Sequence, residues 1–151
     1  RMSIDSAGRV TKPSQPSFSA YLASNYTTTA SGWQKLLLNG TRWNTGSHYS
    51  TSNHRFTAPV AGVYHFTGGV NRYWLPAGTL FRAAFYVNGS KYVYGHVDYS
   101  YGTSDLKYLA ASTIKLDAND YIEFWSYTNT TTNNGFSGGL DWNTFTGFLV
   151  G

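Results

Sequence analysis

Apolar and polar positions alternate two by two along most of this chain, and almost nowhere at three-and-four spacing. In "GVYHF", residues 62–66, Tyr64 and Phe66 fall on one face and Val63 and His65 on the other, the period of a strand. Similar β-branched and aromatic runs recur between Gly, Asn, Ser and Pro punctuation. They predict strands near 18–22, 34–38, 54–58, 62–70, 80–87, 91–95, 107–116, 120–127 and 144–150. Two tight turns separate them. Asn88-Gly89 stands between aromatic runs and is the residue pair that tolerates a hairpin's positive φ angles. Asp117 to Asn119 divides "IKL" from "YIEF". Many short strands with such turns describe an all-β antiparallel sandwich or barrel.

Residues 1–16 break the pattern, being polar, with two prolines and little that could enter a core. They read as a lead-in from a preceding fibre or stalk segment, and residues 17–151 as one domain. "NTTTNN" at 129–134 reads as a low-complexity loop. The inward aromatic face is expected to take Tyr64, Phe66, Phe85, Ile122, Phe124 and Phe148, leaving Trp125 and Tyr127 on the opposite side of their strand.

Composition narrows the function. Of 151 residues only 12% are charged while 18% are aromatic, the reverse of a disordered chain. No cysteine is present, so neither a disulfide framework nor a thiolate metal site is available. The eleven basic residues give a net charge of +4 but are scattered rather than gathered into a stripe, which argues against nucleic acid as a partner. No apolar run is long enough for a membrane-spanning helix, so membrane insertion is not expected.

"FTAPVAGVYHF" at 56–66 resembles the most recognisable motif of the globular-head family of complement C1q, in the tumour-necrosis-factor-like superfamily. "PSFSAYL" at 16–22, "NGSKY" at 88–92, "STIKLDANDYIEF" at 112–124 and "FTGFLVG" at 145–151 follow in the family's order. The resemblance implies a jelly roll of about ten strands that assembles as a homotrimer and serves recognition rather than catalysis. Animal members often carry a cysteine in the later strands, which this chain lacks, and the long loops match no family pattern. "RMSIDSAGRV" at 1–10 is similar to the segment preceding terminal domains of bacteriophage tail fibres. It tilts the expectation towards a virion's fibre tip, attaching to a host-cell surface receptor such as a glycan. A secreted, extracellular animal recognition protein is the alternative, and a fibre-borne glycan hydrolase the third reading.

Catalytic chemistry is thinly supplied. Seven carboxylates occur, and Asp117 and Asp120 sit in a turn, where Asp is favoured for backbone bonding. Asp98, Asp105 and Asp141 lie in longer connections and leave room for a cation such as calcium at the trimer tip; no other cofactor is expected. The histidines His48, His54, His65 and His96 form no metal-binding pair. Gly68-Gly69 lacks the spacing of a phosphate cradle. Four Asn-x-Ser/Thr sequons, at Asn25, Asn39, Asn88 and Asn129, are what chance supplies in a chain this rich in Asn and Thr.

Loop lengths locate a candidate site. The connections 71–79, 95–106 and 128–143 are every second one and all long, whereas 88–89 and 117–119 are tight. In an up-and-down succession the long ones share an end, opposite the termini. They carry Arg72, Tyr73, Trp74, His96, Asp98, Tyr99, Tyr101, Asp141 and Trp142. Flat aromatic faces beside Asp and Arg are what a sugar needs; the competing expectation is that Trp74 and Trp142 tuck inward to close the sandwich.

Overall fold

The computed structural model describes residues 2–102, 105–132 and 134–151. Its described residues form fifteen strands: β1 (Ser3–Ile4), β2 (Val10–Thr11), β3 (Ser17–Tyr21), β4 (Tyr26–Thr28), β5 (Gly32–Lys35), β6 (Gly40–Thr45), β7 (Tyr49–Ser50) and β8 (Arg55–Thr57), followed by β9 (Gly62–Tyr73), β10 (Leu80–Val87), β11 (Ser90–Tyr99), β12 (Leu106–Leu116), β13 (Tyr121–Thr128), β14 (Asn134–Phe136) and β15 (Thr144–Leu149). All pairings are antiparallel, and the fold is a jelly-roll sandwich. One sheet runs β12-β9-β15-β3-β6, with β14 joined to the far end of β9 and β4 to β14. The other runs β11-β10-β13-β8-β7, with β5 on the second half of β13. Among the described residues no helix is long and apolar enough to cross a membrane.

Stacked rings fill the space between the sheets. Phe18 lies 4.9 Å from Phe145, Phe85 lies 5.2 Å from Phe124, and Tyr64 and Phe66 are fully buried among them. Offset and edge-on pairs of this kind add about 0.5–1.5 kcal/mol each beyond the area they bury. Glycine makes the aromatic density fit. A Cβ on Gly68 would stand 2.5 Å from the Phe124 ring, and one on Gly147 2.4 Å from the Phe66 ring. The "GG" at 68–69 is thus partly a packing device.

Phe148 is a correction. It is 48% exposed, and Phe145, fully buried, takes the core place expected of it. Side chains on β15 alternate, so Phe145 and Gly147 point inward and Phe148 outward; counting the phase one residue off moves a side chain to the opposite face. Within the lead-in, Asp5 accepts from the N–H groups of Ala7 and Arg9 and closes β1 and β2 into a hairpin.

The Asn88-Gly89 turn has φ of 51° and 79°, as a two-residue hairpin requires. Asn88 Nδ2 donates to Asp120 at 2.7 Å, and its Oδ1 accepts from the Tyr121 N–H, so the two tight turns are clamped together. The C-terminus is at this end too, with the Val63 N–H donating to the Gly151 carbonyl. The other sequon asparagines likewise serve the fold: Asn25, Asn39 and Asn129 accept from the N–H groups of Gly138, Ala23 and Leu80.

Candidate functional site

The three long connections do meet at the end opposite the termini. The Gly78 N–H donates to Ser100 O, the Ser100 N–H to Thr79 O, and the Asn129 N–H to Leu80 O. Two of the loops are shorter than the sequence indicates. β9 continues to Tyr73 and β11 to Tyr99, so His96, Asp98 and Tyr99 are strand residues, and the loop proper begins at Ser100. Thr103 and Ser104 of the second connection and Asn133 of the third lie outside the described residues.

Beneath the surface, polar side chains fix the loops. Asn143, fully buried, accepts from the Asn71 N–H at 2.9 Å and donates to Asn71 O at 3.0 Å and Ser137 O at 2.7 Å. Ser137 in turn donates to Asn71 Oδ1. Arg72 belongs to this scaffold, which corrects its placement among the exposed binding residues. It is fully buried, with its guanidinium 4.1 Å over the Phe136 ring and donating to Ser126 Oγ and Asn134 Oδ1. Burial pulls it below its ordinary value, and no carboxylate pairs with it among the described residues. The same burial pushes the neighbouring Tyr108 phenol up to about 12, and its hydroxyl lies 3.0 Å from Ser126 Oγ.

Above this scaffold the aromatic side chains are bare. Trp74 is 56% exposed, Tyr99 53%, Tyr101 87% and Trp142 45%, so neither tryptophan closes the sandwich. Trp74 also sits at φ 60°, the left-handed region that a residue without local hydrogen-bonding capacity rarely enters. Its ring meets the half-buried Tyr73 edge-on at 4.8 Å. Asp98 lies 3.5 Å from His96 Nε2, and Asp141 lies 3.3 Å from Arg42 Nη2.

Two residues were missed because they reach the site from strands. Lys107 on β12 donates to the Asp141 carbonyl and stands 5.9 Å over the Trp142 ring. Arg42 on β6 donates to Leu140 O as well as meeting Asp141. The alternation of β12 was the signal for Lys107, which shares its outward face with Leu109. Asp98, Asp105 and Asp141 do not converge, and among the described residues no three carboxylates or imidazoles gather to hold a metal. A cleft of about 480 Å³ lies at the opposite end, between lead-in and body, lined by Met2, Lys12, Gln15, His48 and Val60 among others.

What remains at the tip is a set of exposed aromatic rings with cations and carboxylates beside them. The chain resembles the globular domain of zebrafish complement 1qA at 16% identity and a TM-score of 0.64, covering 91% of this chain and 98% of that one. Murine APRIL crystallised at pH 5.0 is similar at 8% identity and a TM-score of 0.65, covering 90% and 99%. At such identities these likenesses concern the fold. No curated protein matches by sequence. The model of the C1q domain matches residues 17–150, and the chain therefore belongs to the C1q domain family.

Proposed function

We propose that this chain is the trimeric receptor-binding tip of a bacteriophage tail fibre, a non-enzymatic module attaching to a glycan or protein on a bacterial surface. The observation that carries the reading is the group of exposed rings, Trp74, Tyr99, Tyr101 and Trp142, at the end remote from both the lead-in and the C-terminus. Fold maintenance does not call for them, since large apolar side chains contribute most when buried. The likeness of residues 1–10 to fibre segments supports the viral setting.

Trimerisation is supported by the outward face of the β12-β9-β15 sheet. Val63, Leu109 and Phe148 are exposed there, between hydroxyl pairs such as Thr67 with Thr146. A face of small residues and a few apolar ones packs flat against a second copy. Light scattering should give three times the chain mass, and Leu109→Glu should shift it towards monomer.

The binding test is adsorption of labelled trimer to a panel of bacterial cells and to an array of surface glycans. Binding lost on Tyr101→Ala is the expected result. Capsule and lipopolysaccharide should keep their chain length on incubation; depolymerisation abolished by Asp98→Asn or Asp141→Asn would establish the hydrolase instead. A signal peptide and collagen-like stalk upstream, with no bacterial adsorption, would establish the secreted animal protein.

A further inference from the structure

The outward face of the second sheet carries a second aromatic group, which begins two residues along β10 from the Leu80–Tyr99 pair and runs down the flank. β13 and β5 place Tyr127 opposite Trp33, β10 contributes Arg82 and Tyr86, and β11 contributes Lys91 and Tyr94. Trp33 is the hub: its ring centroid lies 5.7 Å from Tyr86, 5.9 Å from Tyr94 and 5.4 Å from Tyr127. The rings meet at interplanar angles of 63°, 43° and 55°, and Ala84 on the same side of β10 is fully buried, so they form one uneven floor rather than separate side chains.

Two cations lie on that floor. Arg82 is 5.5 Å from the Tyr127 centroid, and Lys91 is 4.5 Å from that of Tyr94 and 5.3 Å from that of Trp33. Neither pairs with a carboxylate among the described residues, and Arg82 Nε is buried without a hydrogen-bond partner. Glu123, carried by β13 on this face, is already engaged by Lys35 at 3.0 Å and by Trp125 Nε1 at 3.0 Å. Hydrogen bonding by Lys91, then the charges of Lys91 and Arg82, hold the Tyr94 phenol below its ordinary value, in keeping with an uncompensated positive field. Cation–π contact orients these groups but leaves their charge to be met.

We infer that this flank is a binding site for an acidic polysaccharide, whose sugar faces lie on Trp33 and Tyr94 and whose carboxylates meet Arg82 and Lys91. The charge selects the occupant: a neutral glycan would leave both cations unmatched, and an acidic peptide would not use the ring floor. The site goes beyond the tip reading and does not depend on it.

The test titrates the 151-residue protein with a galacturonate oligomer, a maltodextrin of equal length and polyglutamate, reading tryptophan fluorescence and calorimetric heat. The galacturonate oligomer should bind with an affinity that falls tenfold or more as salt rises from about 50 to about 500 mM, since screening shortens the reach of exposed charge. R82Q/K91Q should weaken it at least tenfold, and Tyr101→Ala at the tip should leave it unchanged. If R82Q/K91Q disturbs the near-ultraviolet circular dichroism, Lys91→Gln alone, an exposed change, should still weaken binding at least threefold. Absence of galacturonate binding, equal binding of maltodextrin or polyglutamate, or loss on Tyr101→Ala in place of R82Q/K91Q would each overturn the assignment. The Tyr101→Ala arm keeps the two sites separate, because failure of the tip reading leaves the flank result standing.

Discussion

The two ends of the sandwich treat the same backbone demand in opposite ways. At the base, positive φ falls on Gly46, Ser47, Asn88, Gly89 and Asn119, which are glycines or small polar residues set in turns. At the tip, Gly78 and Gly139 are of the same kind, but Trp74 at φ 60° is not. A large ring in that conformation costs on the order of 1–2 kcal/mol, and here the ring is exposed and recovers little by packing. The base is built to close the fold, and its polar groups answer one another. The tip is built in two levels, a buried polar scaffold and an aromatic surface that the fold does not need. Local strain of this sort gathers at functional sites.

The largest effect should come from the scaffold. Asn143→Ala removes three hydrogen bonds and leaves the Asn71 N–H and two carbonyls buried without partners. Each orphaned group costs roughly 1–3 kcal/mol, so a loss of about 3 kcal/mol or more is expected in urea denaturation, with receptor binding falling alongside. If Asn143→Ala were as mild as a change at the base turn, the picture of a rigid lower level would be wrong.

Removing the upper level should separate the two properties. Trp74→Gly, Tyr101→Ala and Trp142→Ala should each reduce cell adsorption by tenfold or more, since in the proposed trimer three copies on one axis multiply a per-site loss. Stability should change by no more than about 1 kcal/mol, and Trp74→Gly should be neutral or stabilising because glycine relieves the backbone. A ring that instead closed the core would show a loss of roughly 3–5 kcal/mol on truncation. Thermal unfolding measured beside adsorption distinguishes the two.

How far the sequence reaches follows from the range of each signal. The strands carrying "GVYHF" and "YIEF" are visible because alternation is local, and so is the Asn88-Gly89 turn. Loop parity placed Trp74, Tyr101 and Trp142 at one end, because counting up-and-down strands needs no side-chain detail. Arg72 was misplaced: its neighbours Tyr73 and Trp74 look like loop, but β9 carries it inward beneath Phe136, a residue 64 positions away in sequence. Phe148 failed through phase alone. Arg42 and the Trp33 floor were hidden because each needs the register between strands distant in sequence, which no local pattern encodes, whereas Lys107 was open to view in the alternation of β12. Short strands such as β4 and β14 also depend on one another, Asn134 pairing with Thr28 and Phe136 with Tyr26.

The smallest effects on binding belong to the base, and they sharpen the contrast by touching stability alone. Asn88→Ala breaks the bonds to Asp120 and Tyr121 and puts alanine at φ 51°, which should lower stability by about 1–2 kcal/mol and leave adsorption unchanged. A weaker signature appears in acid. Hydrogen bonding from Asn88, then from the Asp117 N–H, holds the Asp120 carboxyl below its ordinary 3.8. Its folded value therefore lies under its unfolded one, so its contribution is present above the unfolded value and disappears as pH falls through the folded one. Asp5, held low chiefly by the Arg9 backbone N–H and then its guanidinium, does the same in the lead-in hairpin. Carboxyl carbon shifts followed by NMR from pH 6 downwards, to about two units below the model-peptide Asp value, should show both groups titrating late. Asn88→Ala should return Asp120 towards its ordinary value and leave Asp5 where it is. If Asp120 moved while the stability gap between wild type and variant stayed the same from neutral pH into acid, the clamp would be a solvent-exposed contact with no part in closing the base.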